Sequence, residues 1–110
     1  IINPAYNGGG VLPLFKVVPE LGGVTTLTLD PAKDYVWEVS YFSDSYKGAA
    51  KWGTIIDGTV SVVGQDGNPN MLGPHDWVGA PSFDASTGVL TLVKGYDKDY
   101  PTCNRIYCVE

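Results

Sequence analysis

The chain has 110 residues and a formal net charge of −5, from 12 Asp and Glu against 7 Lys and Arg. This length is enough for one domain with a single core and leaves no room for a second domain of ordinary size. The seven cations are scattered singly, so the sequence contains no basic patch that would bind nucleic acid or an anionic membrane surface, and no apolar run is long enough to predict membrane insertion.

The first part of the chain predicts a linker followed by two strands. Residues 1–10 contain Pro4 and three consecutive glycines, so we expect a flexible linker there and a single domain over residues 11–110. Residues 11–18 are apolar and β-branched, although Pro13 cannot donate a ladder hydrogen bond and favours a late start near Leu14. Residues 24–29 alternate between apolar and polar side chains, as expected of a half-buried strand.

Residues 35–42 predict a third strand with two different faces. Tyr35, Trp37 and Val39 share one face, and Glu38 lies on the other. A charged side chain marks its face as the solvent-exposed one, so we predict that Trp37 is a core residue.

The clearest signal is a β-hairpin over residues 52–67, joined by Asp57 and Gly58. These two residues accept the positive φ angles of a type I′ turn. The register that follows places Ile55 opposite Val60 and Trp52 opposite Val63. One face, predicted to be core, carries Ile55, Val60 and Val62. The other face carries Trp52, Thr54, Ile56, Thr59, Ser61 and Val63, a large aromatic side chain beside hydroxyl groups.

The remainder of the chain predicts a long loop over residues 65–82, a hairpin over 83–93 with Gly88 at a positive φ, a loop over 95–101 and a last strand over 105–109. Seven or eight short strands separated by turns, with no amphipathic helix, are typical of an all-β protein. We therefore predict an antiparallel β-sandwich of the immunoglobulin-like or jelly-roll-like kind.

The two cysteines, Cys103 and Cys108, enclose four residues near the C-terminus. A hairpin loop of four residues with a cysteine on each side would bring them within disulfide reach. We therefore predict a disulfide and, with it, a secreted or cell-surface location. The glycine-rich N-terminal residues favour a module within a larger chain.

Signals for catalysis and metal binding are weak. The only histidine, His75, neighbours Asp76, but adjacent side chains of an extended backbone point apart and no nucleophile motif is present. We therefore predict no catalytic residues, no resident metal and no cofactor. Oxygen ligands for a structural calcium ion are the one open alternative, and the candidates are Asp66, Asn68, Asn70, Asp84, Asp97 and Asp99.

Aromatic residues make up 12% of the chain and carry the functional prediction. Aromatic rings pack against the apolar faces of sugar rings, and neighbouring polar side chains bind the sugar hydroxyls. We therefore predict a non-catalytic, extracytoplasmic module that binds a neutral glycan. The candidate ligand-binding residues are Trp52, Thr54, Ser61, Trp77, Tyr46, Tyr96 and Tyr100.

Two other functions fit the same composition. The chain is also typical of a structural or adhesion domain that binds another extracellular protein through a sheet edge or a loop. A small secreted inhibitor or toxin, protected from proteolysis by the disulfide, is the third interpretation.

Overall fold

Eight β-strands and no helix make up the regular structure in the computed structural model, which describes residues 14–19, 25–41, 49–65, 79–95 and 101–108. The strands are β1 (Phe15–Val17), β2 (Thr26–Thr28), β3 (Tyr35–Tyr41), β4 (Ala49–Ile56), β5 (Thr59–Gln65), β6 (Ser82–Asp84), β7 (Val89–Thr91) and β8 (Thr102–Cys108). No helix long and apolar enough to cross a membrane occurs in these ranges. The linker predicted over residues 1–10 lies outside them.

The strands form two antiparallel sheets. The larger has five strands in the order β1-β8-β3-β4-β5, and the smaller has three in the order β2-β7-β6. The all-β prediction and its strand number are confirmed. Two predicted boundaries differ: β4 already begins at Ala49, three residues before the predicted hairpin, and β8 begins at Thr102, three residues before the predicted last strand.

Side chains from both sheets form one hydrophobic cluster. Its fully buried members include Trp37 and Ile55 from the large sheet and Leu90 from the small sheet. Trp37 is 0% exposed, which confirms its predicted core position. The indole of Trp37 lies over Gly53 on the neighbouring strand, and its Nε1–H donates to the carbonyl oxygen of Ser61 at 3.2 Å. A side chain at Gly53 would collide with both groups, so this close packing requires glycine.

The β4–β5 hairpin confirms most of the predicted register. Asp57 has φ 52° and Gly58 has φ 75°, as the predicted turn requires. The pairs from Ile56–Thr59 to Gly53–Val62 form as predicted, but a β-bulge then shifts the register, so Trp52 faces Gly64 instead of Val63. The predicted core position of Val62 is wrong, because the residue lies near the open side of the edge strand and is 54% exposed.

A buried asparagine joins the segment after β7 to β8. Val93 donates its backbone N–H to Asn104 Oδ1 at 3.1 Å, and Asn104 Nδ2 donates to the Val93 carbonyl at 2.8 Å. The hydroxyl of Thr102 donates to the same carbonyl at 2.7 Å. Asn104 and Thr102 therefore satisfy both backbone groups of Val93, which is why two polar side chains are tolerated in the interior.

The predicted disulfide is wrong. Cys103 and Cys108 are both free thiols, and a single strand, β8, runs through both positions instead of a hairpin loop. Five residue-to-residue steps along an extended strand place their Cα atoms roughly 16 Å apart and their side chains on opposite faces. A disulfide needs Cα atoms about 4.4–6.8 Å apart, so the bond cannot form within this strand.

We expect the two thiols to differ sharply in reactivity, because Cys103 is buried and Cys108 is exposed. A maleimide reagent should label Cys108 within minutes in the native protein and should label Cys103 only after denaturation. Mass spectrometry of the labelled peptides would measure both rates. If neither cysteine were labelled in denaturant without a reducing agent, the result would show that the two residues form a disulfide.

Candidate functional site

The large sheet has a face that does not contribute to the hydrophobic cluster, and we call it the second face. It carries Lys16, Val36, Glu38, Trp52, Thr54, Ser61, Gly64, Arg105 and Tyr107, as the strand registers require. Glu38 was predicted to mark this face as solvent-exposed, and that prediction is wrong because the residue is 3% exposed. The reason is that β3 is the central strand of five, and the middle of the second face is buried as well.

The strand registers place one row of charged and aromatic side chains across the second face. Arg105 on β8 pairs with Glu38 on β3, Glu38 pairs with Trp52 on β4, and Trp52 pairs with Gly64 on β5. Directly paired residues of antiparallel strands have Cβ atoms about 4.5–5.5 Å apart. A carboxylate therefore lies between a guanidinium group and an indole.

The adjacent row carries hydroxyl groups. Tyr107 pairs with Val36, Val36 with Thr54, and Thr54 with Ser61. Tyr107, Val36 and Thr54 are buried, whereas Ser61 is exposed on the edge strand β5. Solvent therefore reaches this row from the β5 side of the sheet.

Glu38 is the centre of a buried polar cluster. Its Oε1 accepts a hydrogen bond from the Tyr107 hydroxyl at 3.2 Å and one from Arg105 Nη1 at 3.4 Å, which also forms an ion pair. Burial raises the pKa of Glu38 to about 7, although Arg105 and the two hydrogen bonds act in the opposite direction. Burial and the neighbouring Glu38 carboxylate raise the pKa of Tyr107 above its ordinary value, so Tyr107 remains a hydrogen-bond donor.

The position of Trp52 depends on the glycine opposite it. The pyrrole side of its indole lies against Gly64, where any side chain would collide with Nε1, and Cδ1 and Cε2 lie close to the same point. Trp52 is only partly buried, whereas the other tryptophan described, Trp37, is fully buried on the opposite side of the sheet. β4 thus contributes to two tryptophan–glycine contacts, Trp37 with Gly53 on one side of the sheet and Trp52 with Gly64 on the other. Of these two tryptophans, only Trp52 is partly exposed to solvent.

The structure brings together three of the seven predicted ligand-binding residues. Trp52, Thr54 and Ser61 lie on the second face as predicted, but Thr54 is only 4% exposed and cannot contact a ligand without rearrangement. The other four predicted residues lie outside the described residues, and they are Tyr46, Trp77, Tyr96 and Tyr100.

Sequence reasoning missed Glu38, Arg105 and Tyr107 as members of the site. Arg105 lies 67 positions and Tyr107 lies 69 positions after Glu38 along the chain, and both meet Glu38 only because β8 pairs with β3. The available signal was the charged Glu38 within an apolar strand, which is unusual unless a partner satisfies it. The sequence offered no means to identify that partner.

Asp84 is the candidate calcium ligand that the structure describes, and its carboxylate is hydrogen-bonded within its own turn. Asp84 Oδ1 accepts hydrogen bonds from the Ser86 backbone N–H at 2.9 Å and the Ser86 hydroxyl at 2.6 Å, and these bonds lower the pKa of Asp84. Gly88, at φ 77°, completes this turn as predicted. No group of three or more His, Cys, Asp or Glu side chains that could hold a metal ion occurs within the described ranges. Asp66, Asn68, Asn70, Asp97, Asp99 and His75 lie outside them.

A concave region lies on the outer side of the small sheet. It is an open depression of about 450 Å³, and its lining is Ser82, Phe83, Asp84, Thr87, Val89 and Thr91. Phe83 packs against the hydrophobic cluster, and Asp84 is held by the turn. This depression therefore offers hydroxyl groups, while the aromatic residue in its lining, Phe83, is packed against the hydrophobic cluster.

Comparisons with protein-family models, curated protein sequences and solved structures find no match to this chain.

Proposed function

We propose that this protein is a non-catalytic carbohydrate-binding module that holds a neutral glycan on the second face of its large sheet. The observation that carries the proposal is the partly exposed indole of Trp52, which lies against Gly64 beside the Glu38–Arg105 pair and near the exposed Ser61. An aromatic ring in this setting packs against the C–H face of a pyranose, and the polar groups around it bind the equatorial hydroxyls.

Gly64 favours ligand binding by Trp52 because it restrains the indole. Because residue 64 has no side chain, the indole rests on the backbone of β5 and is restrained before any ligand arrives. A restrained aromatic side chain loses little conformational entropy on binding, so more of the contact energy contributes to affinity.

The charges at the site favour an uncharged ligand. Glu38 and Arg105 form an ion pair at 3.4 Å, so their opposite charges largely offset each other beside Trp52. Glu38 is buried, so Arg105, whose side chain is 13% exposed, is the member of the pair that can donate to a sugar hydroxyl. A neutral glycan therefore fits this site better than an acidic one.

The architecture and location belong to the same proposal. The shared hydrophobic cluster of the two sheets supports a β-sandwich, of the immunoglobulin-like or jelly-roll-like kind common among extracellular modules. A secreted or cell-surface location belongs to the same proposal, because glycan ligands are displayed on cell surfaces. The free thiols of Cys103 and Cys108 remove the disulfide as support for that location.

Binding to a glycan array, followed by calorimetry with the best saccharide, tests the proposal. We expect Trp52→Ala to weaken binding by about 10- to 100-fold, since stacking and burial of one aromatic ring contribute roughly 1.5–3 kcal/mol. Ser61→Ala should weaken binding by less than about tenfold, because it removes one hydrogen bond at an exposed position.

The matched control is Val63→Ala, at the exposed bulge position beside Gly64. This variant should bind like the wild type, and circular dichroism should show that all three variants are folded. An array without any bound saccharide, or equal affinities for wild type and Trp52→Ala, would refute the proposed function.

A further inference from the structure

The edges of the two sheets differ in length and composition. The edge strands are β1 and β5 in the large sheet and β2 and β6 in the small sheet. β1, β2 and β6 have three residues each, whereas β5 has seven. An edge strand presents unpaired backbone groups, and proteins restrict further pairing by keeping edges short or charged. β5 is the long edge in the described part of the chain.

β5 also lacks the charges that usually protect an edge. The strand reads Thr-Val-Ser-Val-Val-Gly-Gln and carries no charged side chain or proline, whereas β1 carries Lys16 and β6 ends at Asp84. Val62 and Val63 are 54% and 53% exposed. A β-branched, uncharged and exposed edge of this length is a template for another strand.

We propose that β5 pairs antiparallel with β5 of a second copy of this chain, which joins two large sheets into one ten-stranded sheet. An antiparallel pair of identical strands has two-fold symmetry, so the same edge completes both sides of the contact. The charge of the chain also favours this edge: two copies at −5 repel each other, and the repulsion is smallest where the contacting strand is uncharged.

The dimer is expected to be weak. The β-bulge opposite Trp52 and Gly53 interrupts the regular ladder beyond Val62, so the straight part of the edge is short. A contact of this size buries less than the roughly 1,200 Å² of a standard stable interface. Pairing also leaves the partly exposed Trp52 on the second face and not at the contact, so the dimer carries two glycan sites on one extended sheet.

Sedimentation equilibrium in the presence of a reducing agent tests the dimer, since the reducing agent excludes a bond through the exposed Cys108. Between about 10 µM and about 1 mM protein, we expect the weight-average mass to rise from the 11.8 kDa of one chain towards twice that value. Val62→Lys, which places a charge on the edge, should weaken association at least tenfold.

The control is Thr28→Lys, which adds the same charge at an exposed position on β2, an edge of the small sheet. It should associate nearly as the wild type does, and circular dichroism should show that both variants are folded. A wild type that remains monomeric over the whole concentration range would overturn the proposal, and so would a Val62→Lys variant that associates as strongly as the wild type. Neither result bears on glycan binding, which is measured separately.

Discussion

Replacing Trp37 by alanine is expected to lower the free energy of unfolding by about 3–5 kcal/mol. The indole is 0% exposed, packs over Gly53 and donates to the Ser61 carbonyl at 3.2 Å. The substitution leaves a cavity in the cluster shared by the two sheets and removes the donor to that carbonyl. Urea unfolding followed by circular dichroism measures the loss.

Two further variants keep this prediction testable if Trp37→Ala fails to fold. Trp37→Phe retains most of the ring volume but not the Nε1–H, so its loss should be smaller, on the order of 1–3 kcal/mol. Val63→Ala, at an exposed position, should change stability by no more than about 0.5 kcal/mol. If Trp37→Ala were as stable as Val63→Ala, the central position of Trp37 in the fold would be wrong.

The second large effect is a loss of stability on raising the pH, which we attribute to Glu38. Burial raises its pKa from 4.5 to about 7 in the folded protein. Between these two values the folded state binds a proton that the unfolded state has released, so the free energy of unfolding falls as the pH rises. The shift corresponds to about 3 kcal/mol, fully present below pH 4.5 and lost as the pH passes 7.

Urea unfolding at several pH values between 5 and 8 measures this dependence for the wild type and for Glu38→Gln. The glutamine cannot ionise, so its variant should lose most of the slope and should be the more stable protein at pH 8. Asp84→Asn is the matched control. Because the pKa of Asp84 is lowered, its contribution is lost only as the pH falls through the acidic range, and the slope between pH 5 and 8 should persist. An equal slope in Glu38→Gln and wild type would contradict the assignment to Glu38.

Local patterns in the sequence predicted the parts of the fold that depend on neighbouring residues. Asp57 and Gly58 predicted the hairpin and four of its pairs, because a two-residue turn with two positive φ angles fixes the adjoining register. The alternation around Trp37 predicted its core position, because side chains along a strand alternate between two faces.

The features that depend on strand order were not predictable. The alternation rule assumes that one face of a strand is exposed, and it failed for Glu38 because β3 is a central strand buried on both faces. The disulfide prediction failed for a related reason. The spacing of Cys103 and Cys108 fits either a hairpin or one strand, and pairing with β3 fixes the whole segment as one strand.

The candidate site was predictable in part. The register of the hairpin placed Trp52, Thr54 and Ser61 on one face, and the structure confirms that grouping. The predicted register could not reveal the burial of Thr54, which lies on an interior strand of the sheet. It also could not reveal the bulge that places Trp52 over Gly64.

The most direct test is an NMR titration of the indole N–H resonances with the saccharide that the array identifies. Trp52 is the partly exposed indole on the second face, whereas Trp37 is fully buried on the other side of the same sheet. We expect the Trp52 resonance, assigned with a Trp52→Phe variant, to shift in a saturable way while the Trp37 resonance remains unchanged. Saturable binding that leaves the Trp52 resonance unchanged would contradict the proposal that the glycan packs against Trp52.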